Sequence, residues 1–170
     1  MAFTSSFSPR MTSTNTPSPL VVSVSAEPFP SYYSGWMSLR SYANNNSVWL
    51  INNADLPAWI KIDFGAATSV SGYTIARHDV HADCNPTAWT FDGSDDDSAW
   101  TVLDTQSSIT PTYAVQVYPL TAAVSYRYYR LAITANNGHA SYGGCGKIEF
   151  ITPDAGGGLL RVGMSGGMHG

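Results

Sequence analysis

Residues 89–103 read WTFDGSDDDSAWTVL, two aromatic-rich apolar runs on either side of an acidic turn. Trp89 and Phe91 alternate with other residues in the first run, and Trp100 and Val102 do so in the second. Alternation with a period of two is typical of a half-buried β-strand. The segment therefore predicts a β-hairpin that hides these four side chains on one side and holds its tip in water.

The tip of this hairpin is crowded with aspartates, namely Asp92, Asp95, Asp96 and Asp97. Calcium binds where several carboxylate or carbonyl oxygens converge on one point. However, the stretch lacks the full spacing of a calcium-binding loop and its distant bidentate glutamate, and aspartate is common in turns. We interpret the tip as a solvated turn.

The same alternation recurs on both sides of the hairpin. In residues 59–64, Ile60, Ile62 and Phe64 share one face of a predicted strand that ends at Gly65. The remaining predicted strands are residues 20–24, 71–77, 88–93, 100–106, 113–120, 126–134 and 147–152. Short strands separated by turn residues, in a chain poor in strong helix formers, predict an all-β fold of the antiparallel sandwich or barrel type.

The 170 residues suffice for one domain, predicted over residues 20–152. Residues 1–19 are rich in Ser, Thr and Pro and predict an extended N-terminal arm, and residues 153–170 predict a glycine-rich C-terminal tail. Neither segment has enough apolar surface to fold alone. We therefore expect both to be flexible or to dock onto partner proteins.

Charge and motif content exclude several classes of function. The net charge is −4 and the eight basic residues are scattered, which argues against nucleic acid as a partner. No apolar run has the length of a membrane span, and no secretory signal is visible at the N-terminus. The sequence also lacks a nucleophile motif, a close pair of tuned carboxylates and an open metal-site motif, so we expect no enzymatic activity.

Six short motifs occur in a characteristic order between residues 21 and 152: WIKIDFG (59–65), YTIAR (73–77), PTAWTFDGS (86–94), WTVL (100–103), YRYYRL (126–131) and KIEF (147–150). Together they resemble the discoidin-like, coagulation factor five/eight type C modules, also called galactose-binding-like domains. The resemblance implies a β-sandwich of jelly-roll type. It also implies a non-catalytic module that binds carbohydrate.

In sugar-binding members of that family the ligand lies on loops at one end of the sandwich. The matching segments are residues 30–53, 77–86 and 136–146, here named the early, middle and late loops. Their aromatic side chains suit the apolar face of a sugar ring, and their Arg, His, Asn and Asp suit its hydroxyl groups.

The resemblance assigns candidate ligand-binding residues within these loops. Arg77 and Asn85 are the expected hydroxyl partners, with His78 or Asp79 beside them. Tyr142 and Trp36 are the expected stacking aromatics, and His139 lies in the same loop as Tyr142. Structural alternatives stay open: a salt bridge at a strand end for Arg77, a solvated loop for His78 and loop packing for Trp36.

Cys84 and Cys145 lie in the middle and late loops, which the resemblance places at the same end of the fold. A disulfide and a pair of free thiols are both open. A zinc site from His78, His81, Cys84 and Cys145 is a third alternative, although its spacing matches no strong finger pattern. Family members often hold a structural calcium in the early loop, but residues 36–44 (WMSLRSYAN) lack its acidic ligand. We therefore expect no cofactor, and a structural calcium stays open as the alternative.

The predicted function is recognition of cell-surface glycans by a non-catalytic module. We expect it to be displayed in many copies, or as a homo-oligomer, on a phage particle as a tail or capsid accessory protein. It would then be made in the host cytoplasm, act outside the cell and contact other virion proteins through its arms. The alternative is a purely structural virion decoration or tail-attachment subunit that binds no sugar.

Overall fold

The computed structural model describes residues 11–26, 35, 48–78, 82–112 and 114–153. These residues form eight β-strands: β1 (Val21–Val24), β2 (Trp49–Asn52), β3 (Ala58–Ala76), β4 (Pro86–Ser94), β5 (Thr101–Gln106), β6 (Gln116–Asn136), β7 (Tyr142–Cys145) and β8 (Lys147–Ile151). Two single turns of 3-10 helix, Asn53–Asp55 and Ala82–Cys84, lie between strands. No helix in the described residues is long and apolar enough to cross a membrane. The predicted all-β fold is confirmed.

Two long strands, β3 and β6, build the frame. Each combines two strands that the sequence predicts separately, and they pair antiparallel from Ala58↔Ile133 to Ile75↔Gln116. The register shifts between Asp63 and Thr68 and again between Val70 and Gly72. Bulges of this kind bend a strand, so both chains turn a corner instead of ending there.

The corner divides the strands between two layers. The first half of β3 and the second half of β6 lie with β1, β4 and β5, whereas the second half of β3 lies with β8 and the first half of β6. Aromatic rings from the two layers meet: Tyr73 stacks on Phe91 at 4.3 Å between centroids, and Phe64 meets Phe150 edge-on at 5.5 Å. The predicted sandwich is therefore closed by an aromatic core.

At the centre of this core a short chain of hydrogen bonds satisfies the polar atoms of buried rings. The Trp89 indole N–H donates to the Tyr73 hydroxyl at 2.8 Å, and that hydroxyl donates to Asp104 at 2.7 Å. Burial and the neighbouring Asp104 carboxylate hold the pKa of Tyr73 well above its ordinary value. The phenol is thus a neutral donor that links β3, β4 and β5.

The quoted hairpin is formed by β4 and β5, with one difference from the prediction. Trp89 and Phe91 are buried, but the register shifts after Phe91 so that Asp92 pairs with Val102. This bulge places one extra residue in β5. Leu103 therefore packs against the core, whereas Val102 is 58% exposed. The expectation that Val102 shares the buried side is wrong for this reason. Trp100 is also outside the buried core: it is only partly buried, with the Arg130 guanidinium 4.1 Å from the centroid of its ring.

The aspartates of the turn are engaged in holding the hairpin in place. Asp92 accepts a hydrogen bond from Arg130, and Asp97 pairs with Lys61 at 2.6 Å. Asp96 accepts the backbone N–H groups of Ala99 and Ser98, which lower its pKa to about 2. Asp92, Asp96 and Asp97 therefore stabilise the hairpin through these hydrogen bonds and this ion pair.

The described part of the predicted N-terminal arm packs on the sandwich. Met11 is buried in the main core, and Val22 donates its N–H to the carbonyl of Thr14. Gly65 adopts a φ of +77° at the corner of β3, where a Cβ atom would lie 2.7 Å from Pro19. Residues 11–19 therefore pack against the sandwich, whereas residues 1–10 and 154–170 lie outside the described residues.

We expect Tyr73→Phe to lower the free energy of unfolding by about 1–3 kcal/mol, because it leaves the buried Trp89 N–H without its acceptor. Tyr118→Phe is the matched control, since the Tyr118 hydroxyl is buried near the same rings with no hydrogen-bond partner among the described residues. That variant should be neutral or stabilising. Urea denaturation of the three proteins checks this, and equal losses in both variants would contradict it.

Candidate functional site

Segments of the early and late loops pair with each other to form a two-stranded ribbon. Strands β2 and β7 are antiparallel, with Trp49 opposite Cys145 and Asn52 opposite Tyr142. Neither strand is predicted from the sequence, because WLIN does not alternate and YGGC is rich in glycine. The ribbon fastens these two loops to each other.

The middle loop is joined to the late loop by backbone hydrogen bonds. His139 donates its N–H to the carbonyl of Asp83 at 3.2 Å, and Asn137 donates to the carbonyl of Asn85 at 2.9 Å. All three loops therefore meet at one end of the sandwich, here called the rim. The acidic hairpin turn lies at the opposite end, because β4 starts opposite Asn136 and finishes opposite Tyr128.

A single asparagine, Asn136, ties the rim together, and the sequence analysis does not single it out. The two hydrogens of its side-chain NH2 group are shared among three acceptors: Asn53 Oδ1 at 2.9 Å, the carbonyl of His139 at 2.8 Å and the carbonyl of Tyr142 at 2.6 Å. Its Oδ1 accepts the N–H of Gly138. One side chain at the end of β6 thus holds the early loop and both ends of the late-loop turn.

Two of the predicted hydroxyl partners are buried in the middle loop. Asn85 accepts the backbone N–H of His78 at 2.8 Å and donates to the carbonyl of Ala82 at 3.1 Å. His78 is only 4% exposed and Asn85 only 1%. In this structure Asn85 closes the middle loop on itself.

His139 and Tyr142 lie side by side on the rim and are both partly exposed. The centroids of their rings are 4.9 Å apart, and the angle between the ring planes is 30°. His139 Nδ1 accepts the backbone N–H groups of Ser141 at 3.1 Å and Tyr142 at 2.9 Å. The imidazole therefore fixes the backbone that carries the Tyr142 ring.

Of the remaining candidate ligand residues, Arg77 alone lies among the residues that the structure describes. Arg77 directly follows β3, at the start of the middle loop, and is partly exposed. Trp36, Asp79 and His81 lie outside the described residues, as do the residues 36–44 that bear on calcium. The assignments of Arg77, Asn85 and Tyr142 as sugar contacts stay predictions.

The two cysteines lie on opposite faces of the β2–β7 ribbon. Cys145 is buried in the main core together with Trp49 and Ile51, whereas Cys84 is buried against Val48 and Leu50 on the other face. Both are thiols, and no disulfide joins them. Burial, and secondarily the charge of Asp83, raise the pKa of the Cys84 thiol to about 12.

One group of possible metal ligands is assembled at the rim, and it differs from the set considered from sequence. Asp83, Cys84 and His139 each offer a ligand atom, and these atoms lie within 4.8 Å of one another. The zinc alternative from the sequence combined Cys84 with Cys145, which the ribbon separates. The sequence does not predict Asp83 and His139 as metal ligands, because no regular spacing relates them.

Comparison with known proteins gives a family and a set of similar folds. The profile of the F5/8 type C domain matches residues 22–148 of the chain. No curated protein matches it.

Among solved structures, the family 32 CBM of Clostridium perfringens NanJ in complex with galactose is similar, with a TM-score of 0.64, 12% identity and coverage of 77% of this chain and 92% of that chain. CpGH89CBM32-5 of the same organism, in complex with GalNAc-β-1,3-galactose, has a TM-score of 0.66 and 11% identity, and the match covers 78% of this chain and 95% of that chain. Chitosan-binding module 1 of a Paenibacillus sp. IK-5 chitosanase/glucanase has a TM-score of 0.63 and 15% identity, and covers 76% and 92%. At these identities the similarity establishes the sandwich fold.

The contacts of Asn136 predict its effect on the rim. Asn136→Ala leaves the carbonyls of His139 and Tyr142 without their donor, and we expect a local loss of about 1–3 kcal/mol. Amide hydrogen exchange in residues 137–145 should become about tenfold faster or more. Asn137→Ala is the matched control, because the exposed Asn137 amide makes only a 3.4 Å bond to Ala82. Similar exchange rates in the two variants would contradict the assignment.

Proposed function

The chain belongs to the F5/8 type C domain family, and from this premise we propose that it is a non-catalytic module that binds cell-surface carbohydrate at the rim. The observation that carries the proposal is the convergence of the early, middle and late loops at one end of the sandwich. The solved structures with the same fold include modules in complex with galactose and with GalNAc-β-1,3-galactose. Their description as binding modules supports a non-catalytic role.

The chemistry of the rim suits a sugar ring. Tyr142 offers an aromatic ring that is only partly covered by its neighbour His139, and aromatic faces pack on the apolar C–H face of a pyranose. Because Nδ1 of His139 accepts two backbone N–H groups, the proton of the neutral imidazole is assigned to Nε2. We assign stacking to Tyr142 and hydroxyl recognition to Arg77 and His139.

Rigidity of the rim supports the same function. Ordering flexible loops on binding costs free energy, so a site that is fastened beforehand binds more tightly. Here Asn136 and Asn85 hold the late and middle loops with side-chain hydrogen bonds to backbone atoms. We propose that these two residues position the site, while the ligand contacts come from their neighbours.

We expect Tyr142→Ala and Arg77→Ala each to weaken retention on the recognised glycan by about tenfold, which corresponds to about 1.4 kcal/mol. A glycan array with the full chain identifies the ligand, and calorimetry with that glycan measures the loss. Tyr128→Ala is the control, since Tyr128 packs with Lys61 and Arg127 away from the rim. Binding that survives both rim variants, or that is lost in the control, would place the site elsewhere.

We propose further that the module acts in many copies on a phage particle, as part of its tail or capsid surface. A single shallow sugar site binds weakly, and multivalent display raises overall avidity without new contacts. The composition of the two chain ends, one rich in Ser, Thr and Pro and the other in Gly, suits docking to neighbouring virion proteins.

Deletion of either chain end tests whether the ends dock the module onto a particle. Because Met11 is part of the core, we expect deletion of residues 1–10 or 156–170 to leave folding intact but to abolish incorporation into the particle. Incorporation is measured by the protein content of purified particles, with thermal melting as the folding control. Normal incorporation of both truncated chains would contradict docking through the ends. If the full chain binds no glycan and truncation still abolishes incorporation, a purely structural subunit is favoured.

A further inference from the structure

A cluster of three metal-ligating side chains lies where the middle loop meets the late loop. Asp83 and Cys84 belong to the single 3-10 turn Ala82–Cys84, and His139 comes from the turn between β6 and β7. One ligating atom of each lies within 4.8 Å of the corresponding atoms of the other two. The His139 N–H donates to the carbonyl of Asp83 at 3.2 Å, so the two turns are already tied together.

The kinds of donor in the cluster select a class of cation. A thiolate and an imidazole are ligands for zinc and similar divalent transition metals, whereas calcium and magnesium prefer sites made only of oxygen. A thiolate and a carboxylate together carry two negative charges, which a divalent cation neutralises. Ligand atoms around tetrahedral zinc are roughly 3.3–3.7 Å apart, so these atoms need to approach one another by no more than about 1–1.5 Å.

We propose that Asp83, Cys84 and His139 form a three-ligand site for zinc or a similar divalent transition metal, with the fourth position open to water. The site bridges the middle and late loops and borders the Tyr142 ring through His139. It is independent of the carbohydrate proposal, because it rests on the position of its donors and on no sugar contact.

Metal binding at His139 changes how the start of β7 is held. Nδ1 of His139 accepts the N–H groups of Ser141 and Tyr142 in this structure. A metal on Nδ1 takes that lone pair, and a metal on Nε2 requires the proton to move to Nδ1, where it opposes both N–H groups. In either case Ser141 and Tyr142 lose their acceptor, so the metal loosens the backbone that carries the Tyr142 ring.

Cobalt titration of the full chain tests the site, because a thiolate bound to Co²⁺ gives a characteristic ultraviolet charge-transfer absorption. We expect one equivalent of Co²⁺ to produce this band and Zn²⁺ to displace it, while excess Ca²⁺ has no effect. Cys84→Ala should abolish the band, and Cys145→Ala, which removes the other buried thiol, should keep it. Absence of the band in the wild type, or its survival in Cys84→Ala, would overturn the proposal.

Asp83→Asn and His139→Gln provide variants at partly or fully exposed positions, which protects the test from a folding failure of Cys84→Ala. Each should weaken Co²⁺ binding by more than the roughly 10- to 100-fold typical of an outer-shell partner. Binding as tight as in the wild type in both variants would overturn the assignment of these ligands.

Hydrogen exchange tests the coupling to the rim separately. On addition of Zn²⁺ the amides of Ser141 and Tyr142 should exchange faster, while those of β4 should not change. Slower exchange at both amides would overturn the loss of their acceptor, and hence His139 as a ligand.

Discussion

Antiparallel pairing of β3 with β6 around a bend is the constraint on which the rest of the structure depends. Because both strands turn the corner together, each contributes to both layers of the sandwich. Both ends of β3, the start of β4 and the end of β6 are thereby brought to one side of the molecule. The loops that continue from these ends therefore lie at the rim.

The two ends of the sandwich are stabilised by different interactions. At the hairpin end, ion pairs such as Lys61 with Asp97 and Arg127 with Asp63 join neighbouring segments at the surface. Each of these pairs has one exposed partner, and solvent screening keeps the contribution of an individual pair small. At the rim, hydrogen bonds from Asn136 and Asn85 to backbone atoms hold irregular loops over a small cluster of Val48, Leu50 and Cys84. The main core between the two ends contains most of the buried apolar side chains among the described residues.

This division separates folding from recognition. The residues that make the frame, such as Tyr73, Phe91 and Tyr129, are fully buried and unavailable to a ligand. Arg77, His139 and Tyr142 are partly exposed at the rim, where His139 holds the backbone of Tyr142 through polar contacts that a few substitutions can alter. The proposed sugar and metal sites both lie at the rim, outside this buried frame.

The sequence by itself determined the strands of the frame and the family. Alternation in residues 59–64 and 126–134 is a local property of the sequence. The order of the six motifs is likewise visible without any knowledge of tertiary contacts. The resemblance also assigned the candidate ligand residues to three loops. The sequence did not determine β2 or β7: Val48 and Leu50 face one cluster while Trp49 and Ile51 face the core, so burial on both faces erases the alternation. The tertiary structure alone decided the roles of Asn136, Asn85 and the two cysteines, because each depends on partners brought near only when distant strands pair and the ribbon fixes which face each residue occupies.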